Sequence, residues 1–103
     1  MIDIDASMRK LRFLREIQDC KIKIADIEDV HKTMSEDAEK LEEGISGYST
    51  DDQQVADVRF QARQLREAAA QLERQKAALQ TKLDRAKLLL REAEFALKES
   101  LQS

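Results

Sequence analysis

The second half of the chain carries a regular alternation of three- and four-residue steps, and apolar side chains occupy every step except Lys76. This spacing keeps the side chains on one narrow side of an α-helix, which is the pattern that packs against another helix. The positions of this stripe are Val55, Val58, Ala62, Leu65, Ala69, Leu72, Lys76, Leu79, Leu83, Ala86, Leu90, Ala93 and Leu97. The repeat therefore predicts a long helix in a coiled coil.

A second stripe with the same spacing precedes the first one in the chain. Its positions are Phe13, Ile17, Cys20, Ile24, Ile27, His31, Met34, Ala38, Leu41 and Ile45. The only two glycines of the protein, Gly44 and Gly47, lie between the stripes, and glycine is the favoured residue just past a helix end. No proline interrupts either stripe. Two helices separated by a turn account for the two stripes and for the glycines between them.

We predict an all-α fold, because the chain offers two long helical stripes and a short connection favours antiparallel neighbours. The architecture is an antiparallel helical hairpin, a coiled coil within one domain covering 1–103. Helix 1 is expected at about 7–43, the turn at 44–50 and helix 2 at about 51–101. The pattern also permits two copies to dimerise into a four-helix bundle, or to exchange helices in a swapped antiparallel dimer.

The residues near the predicted helix ends suggest how each helix is capped. Asp5 or Ser7 is a suitable N-cap for helix 1, because both side chains accept hydrogen bonds from free backbone amides. Thr50 with Gln53 fits a capping box at the start of helix 2.

Matching the two stripes layer by layer predicts the register of the hairpin. It places Leu41 opposite Val55 and His31 opposite Leu65. Under this register helix 2 is longer than its partner by about a dozen residues, as counted along the sequence. Leu90, Ala93 and Leu97 would then continue the stripe without cover from helix 1.

Charge favours the antiparallel arrangement. Acidic residues predominate between Glu16 and Glu43, whereas basic residues predominate between Arg59 and Arg91. The open end of the hairpin is the end opposite the turn, where both chain termini lie. Four basic residues are expected there near three acidic ones, and these are Arg9, Lys10, Arg12 and Arg15 with Glu92, Glu94 and Glu99. Each exposed pair contributes only about 0–1 kcal/mol, so these charges select orientation more than they stabilise it.

The open end also carries apolar residues that lie off the stripes or beyond the end of helix 1. A large exposed apolar patch usually marks an interaction site, so we predict a partner or dimer interface there. Its residues are Met8, Leu11, Leu14, Ile22, Leu88, Leu89, Leu90, Ala93, Phe95, Leu97 and Leu101. The occupant is either another protein's helix, bound helix-in-groove, or a second copy in a homodimer.

Three polar or reactive residues lie within the stripes and are candidate sites of chemistry. His31 and Lys76 are interpreted as polar seam positions that set register, with a pH-sensitive seam at His31 as an alternative. Cys20 falls opposite Lys76, a neighbour that could activate a thiol, but no base or pocket accompanies the pair. We therefore predict no catalytic residues, no metal site and no cofactor.

Composition narrows the classes of function further. A net charge of −3 disfavours nucleic-acid binding, although Arg59, Arg63 and Arg66 share one helix face that could contact phosphates. No apolar run reaches the length of a membrane span, and the first residues lack the basic run of a secretion signal. With a single Cys20, the expectation is a cytoplasmic protein.

In size and two-helix plan the chain is similar to the short acidic helical proteins of type III secretion, including its small chaperones, and to tubulin cofactor A. It carries no sequence motif specific to either group. The secreted hairpins of type VII systems have Trp-x-Gly at the turn, whereas residues 44–48 here contain no tryptophan. The expected function is therefore nonenzymatic protein binding, as a small adaptor, assembly factor or chaperone. The alternative is a purely structural coiled-coil subunit of a larger complex.

Overall fold

The computed structural model describes residues 2–102 and contains two helices packed against each other in a hairpin. Helix α1 spans Ile4–Gly44 and helix α2 spans Gln53–Gln102. The described residues contain no strand, which confirms the predicted all-α helical hairpin. Met1 and Ser103, the two ends of the domain expected over 1–103, lie outside the described residues.

Helix α1 begins three residues earlier than predicted, because its N-cap is Asp3. The Asp3 Oδ1 atom accepts a hydrogen bond from the Ala6 amide at 3.0 Å, and the Asp3 carbonyl accepts the first helical bond from the Ser7 amide at 3.1 Å. This geometry satisfies amides that would otherwise be unpaired at the helix start. The prediction of Asp5 or Ser7 as the cap was wrong, since three suitable side chains lie within five residues.

The cap of α2 also differs from the prediction. The Asp52 Oδ1 atom accepts a bond from the Gln54 amide at 2.8 Å, and the Asp52 carbonyl accepts one from the Ala56 amide at 3.0 Å. The predicted capping box of Thr50 and Gln53 was wrong, because the Gln53 side-chain amide instead donates to Asp57 Oδ1 at 2.9 Å. Asp52 is therefore the last residue before the helix.

The connection between the helices uses its two glycines differently. Gly44 is the last residue of α1, whereas Gly47 adopts a φ of 86°, the left-handed conformation that side chains with a Cβ atom disfavour. The Tyr48 amide donates to the Ile45 carbonyl at 3.1 Å, which closes a tight turn around Gly47. Gly47 is thus the position where the chain direction requires glycine.

Contacts divide the described hairpin into two units, which we call the terminal half and the turn half. The terminal half consists of residues 2–25 and 77–102, and the turn half of residues 26–76. In the terminal half a contiguous core combines large apolar side chains with small ones, and each large side chain contributes about 1.5–3 kcal/mol when fully buried. This cluster contains Ile17, Cys20, Ile24, Leu83 and Ala86, with Leu79 and Leu90 packed against it.

The turn half has a core of smaller side chains. Its buried residues are Ala38, Val55, Ala62 and Ala69. Alanines alternate along this seam with half-buried larger residues such as Met34 and Leu65, an arrangement that allows the helices to pack closely.

The register of the terminal half differs from the predicted one by a heptad. The Asp3 amide donates to Ser100 Oγ at 3.3 Å, whereas the predicted register would place Ala93 opposite Asp3. Cys20 accordingly packs in one cluster with Leu83 and Ala86, so the predicted layer of Cys20 and Lys76 was wrong.

Contacts within the turn half show a displacement of the same size. His31 Nε2 lies 3.3 Å from Glu73 Oε1, about two helical turns beyond the predicted neighbour Leu65. Lys76 Nζ lies 3.2 Å from Glu28 Oε1. A heptad pattern matches itself after a shift of seven residues, so apolar spacing alone does not distinguish the two registers.

The corrected register removes the expected overhang of helix 2. Ala93 is only 3% exposed, and Leu90 and Leu97 are half-buried. Ala6 is fully buried in the first turn of α1, which the bond between Asp3 and Ser100 places beside the last turns of α2. The expectation that the seam near the end of α2 lacks a covering helix was therefore wrong.

Candidate protein-binding surface

Exposed large apolar side chains are distributed unevenly over the described residues. Nine of the twelve lie in the terminal half, and these are Ile2, Ile4, Met8, Leu11, Leu14, Ile22, Leu88, Phe95 and Leu101. The other three, Val30, Tyr48 and Phe60, lie in the turn half. Single exposed apolar residues are normal, but a concentration of them marks an interaction surface.

The structure separates the residues predicted for the interface into two groups. The exposed group contains Met8, Leu11, Leu14, Ile22, Leu88, Phe95 and Leu101. The covered group contains Leu89, Leu90, Ala93 and Leu97, which are buried or half-buried. The four covered residues belong to the packing of the hairpin, so they are not part of a free surface. Ile4, which is 73% exposed, was missed as a surface residue, although its spacing to Met8 and Leu11 repeats the steps of four and three.

Exposed residues of α1 form another stripe, separate from the seam, which we call the outer stripe. It runs through Ile4, Met8, Leu11, Arg15, Gln18, Ile22 and Ala25 in alternating steps of four and three residues. All seven residues are exposed, whereas the seam residues Phe13, Ile17 and Cys20 of the same helix are buried. The outer stripe thus has the spacing of a coiled-coil seam, with two polar residues at its middle.

The exposed residues of α2 form a smaller feature, which we call the outer pair. Leu88 and Phe95 lie seven residues apart, so they occupy the same side of the helix, and they are 55% and 64% exposed. Arg91 and Glu92 lie between them in the sequence. Phe60 occupies the same heptad position in the turn half and is 56% exposed.

The basic residues near the outer stripe have no carboxylate partner within residues 2–102. The predicted pairing of Arg9, Lys10, Arg12 and Arg15 with Glu92, Glu94 and Glu99 is absent from the charged contacts of that range. The Arg12 guanidinium instead lies 5.0 Å from the centre of the Phe13 ring, a cation–π contact over the edge of the core. The observed register places Arg9 at the level of Glu94, but both side chains are exposed, and no ion pair joins them.

Charged contacts are concentrated in the turn half. The Arg66 guanidinium donates two hydrogen bonds to the Glu42 carboxylate, at 2.6 and 2.8 Å. These bonds, together with the charge of Arg66, hold the pKa of Glu42 below its ordinary value. The same bonds raise the pKa of Arg66. Arg66 is therefore already engaged, which leaves only Arg59 and Arg63 of the three arginines considered for phosphate contacts.

The seam polar residues make structural contacts. His31 and Lys76 are both about one-third exposed and each lies beside a glutamate, Glu73 and Glu28 respectively. Within the described part of the chain, no three His, Cys, Asp or Glu side chains converge on a metal position. Cys20 is a free cysteine buried in the core of the terminal half.

None of the helices in residues 2–102 has the length and apolar character required to cross a membrane. No protein family, curated protein or solved structure matches this chain. The outer stripe and the outer pair are therefore the candidate binding features of the chain.

Proposed function

We propose that the protein is a nonenzymatic binding hairpin, acting as a small adaptor, assembly factor or chaperone for another protein. The observation that carries the proposal is the exposure of Leu88 and Phe95 one heptad apart on α2, in the half that holds nine of the twelve exposed large apolar side chains. Exposing these side chains to water is unfavourable, by about 25 cal/mol per Å² of apolar surface, and a partner that covers them recovers that free energy. Cys20 as the single cysteine is ordinary in a reducing compartment, so the proposal places the protein in the cytoplasm.

The outer pair is the surface that we assign to the partner. Leu88 and Phe95 present two apolar side chains one heptad apart, the spacing at which an amphipathic helix contacts a neighbouring helix. Arg91 and Glu92 offer one charge of each sign beside them, which favours an amphipathic helix with mixed charge. The predicted helix-in-groove mode changes accordingly, because the seam is covered and the contact is helix on helix.

The proposal is tested by capture of partners from native lysate, comparing the wild-type chain with two double variants. Leu88→Asp with Phe95→Asp is expected to lose a protein that the wild type retains, because two carboxylates replace the apolar contact. Tyr48→Asp with Phe60→Asp alters two exposed aromatic residues of the turn half and is expected to retain that protein. Helix content by circular dichroism shows that each variant is folded.

A protein lost equally from both variants, or retained by both, would contradict the assignment. The alternative function, a permanent structural subunit, is separated by size-exclusion chromatography of native extract. An adaptor or chaperone is expected to give a pool outside large assemblies, whereas a structural subunit elutes only with its complex.

A further inference from the structure

The outer stripe of α1 remains unexplained by partner binding at the outer pair of α2. We propose that it is the contact through which two copies of the chain pair antiparallel, outer stripe against outer stripe. Met8 then lies opposite the second copy's Ala25, Leu11 opposite the second copy's Ile22, and Arg15 opposite the second copy's Gln18. Two-fold symmetry repeats each of these pairs, which gives six layers.

The two polar residues of the stripe select this register. The Gln18 side-chain oxygen can accept a hydrogen bond from the Arg15 guanidinium of the other copy, so the two polar side chains of this layer bind each other. A register shifted by one heptad would place Arg15 opposite Leu11 and Gln18 opposite Met8. Polar groups without partners would then be buried, which is unfavourable, so the shifted register is disfavoured.

The same residues exclude a parallel pair. In a parallel arrangement each residue of the stripe meets itself, so Arg15 would face the second copy's Arg15. Two guanidinium groups in one buried layer repel each other and cannot accept each other's hydrogen bonds. The antiparallel pair avoids this contact and is therefore the arrangement that we infer.

The occupant is a second copy because the stripe is complementary to itself. Large Met8 meets small Ala25, and the layer of Leu11 and Ile22 is apolar on both sides. Leu14 is 37% exposed beside the stripe, about 7.5 Å along the axis from its own copy, so it adds apolar surface near the two-fold axis. Asp19 lies on the other flank at an exposed position, about 7.5 Å along the axis from its own copy, where salt screens the repulsion.

A hairpin of this size also gains from association. Two helices bury a small fraction of their surface, and chains of this kind are commonly stabilised by oligomerisation. The dimer contact uses α1 alone, so the outer pair of α2 stays free. The dimer is therefore independent of the proposed function.

The test is disulfide trapping in the full chain, with Cys20→Ala in every variant. Leu11→Cys with Ile22→Cys places two thiols in one layer of the proposed pair, within the roughly 7 Å between Cα atoms that a disulfide requires. The two single variants are matched controls, because residue 11 or 22 lies about 16 Å along the axis from the same residue of the second copy. Met8→Cys with Gln18→Cys reports the register shifted by one heptad.

The expected result is a covalent dimer that forms at least about tenfold faster in the Leu11→Cys, Ile22→Cys variant than in the three comparison variants. Light scattering of the wild-type chain is expected to give twice the 11.9 kDa of one copy. Leu11→Asp should raise the dissociation constant of the dimer at least about tenfold, without loss of helix content.

A monomeric wild-type chain would overturn the inference, as would faster trapping through Met8→Cys with Gln18→Cys or a dimer unaffected by Leu11→Asp. Occupation of the stripe by another protein's helix on a monomeric chain would overturn it too. None of these results bears on capture of a partner at Leu88 and Phe95, which tests the proposed function.

Discussion

The terminal half and the turn half consist of the same two helices but differ in the size of their buried side chains and in their exposed apolar residues. The terminal half buries large side chains such as Ile17 and Leu83 and still exposes nine large apolar residues. The turn half buries mainly alanines and exposes three. Of the four charged contacts found in residues 2–102, three lie in the turn half. The terminal half has more apolar surface than its own seam can cover, and that excess is what a binding surface requires.

The largest expected effect separates core from surface within the terminal half. Leu83→Ala removes a side chain that is 5% exposed and should lower the free energy of unfolding by about 2–5 kcal/mol, through lost burial and the cavity left behind. Leu88→Ala makes the same chemical change at a residue that is 55% exposed and should alter it by less than about 0.5 kcal/mol. Urea denaturation at one fixed chain concentration measures both. Equal effects would show that Leu88 belongs to the core of the hairpin.

The next effect tests the close packing of the turn half. Ala69→Leu adds a large side chain at a residue that is 5% exposed and should destabilise by about 1–3 kcal/mol. Ala70→Leu is the matched control, because Ala70 is the exposed neighbour and leucine is a good helix former. Thermal unfolding followed by circular dichroism compares the two. An unchanged melting temperature in Ala69→Leu would show that the seam of the turn half is not closely packed.

The cap of α2 gives a smaller effect. Asp52→Ala removes the acceptor of the Gln54 amide and should destabilise by about 1 kcal/mol. Asp51→Ala removes a carboxylate of equal charge from the neighbouring residue and should have the weaker effect. Urea denaturation of both variants measures the difference. A larger loss in Asp51→Ala would mean that Asp52 is not the cap.

The smallest effect concerns the ion pair of Glu42 and Arg66 in the turn half. The pKa of Glu42 is lowered in the folded state, so its stabilising contribution is present above the pKa of the unfolded chain. That contribution is lost as the pH falls through the folded-state pKa. Arg66→Gln should therefore lower the melting temperature slightly at neutral pH, and the difference from wild type should shrink in strongly acidic solution.

Arg63→Gln is the control for that experiment, since Glu42 bonds to Arg66. A difference in melting temperature between Arg66→Gln and wild type that stays constant from neutral to strongly acidic pH would assign the effect of Arg66 to packing instead of charge.

The sequence predicted the hairpin because alternating steps of three and four residues in both halves of the chain admit few other folds. It did not predict the register, since a heptad repeat is unchanged by a shift of seven residues. The bond of Asp3 to Ser100 and the contact of His31 with Glu73 depend on single polar atoms, which apolar spacing does not report. The caps failed for a related reason, because several adjacent residues offered equivalent side chains.

The exposed part of the candidate surface was predictable to the extent that it lay off the seam. The sequence identified four exposed apolar residues because they lie off the stripes, namely Met8, Leu11, Leu88 and Phe95. Leu90, Ala93 and Leu97 were wrongly predicted to be exposed, because the predicted register left them without a covering helix.

Photo-crosslinking in cells shows whether a partner binds the terminal half. A benzoylphenylalanine at Phe95 is compared with one at Phe60, which has the same heptad position on the same helix and similar exposure. A discrete adduct with another protein is expected from residue 95 and none from residue 60. An adduct from residue 60 alone, or equal adducts from both, would contradict partner binding at the terminal half.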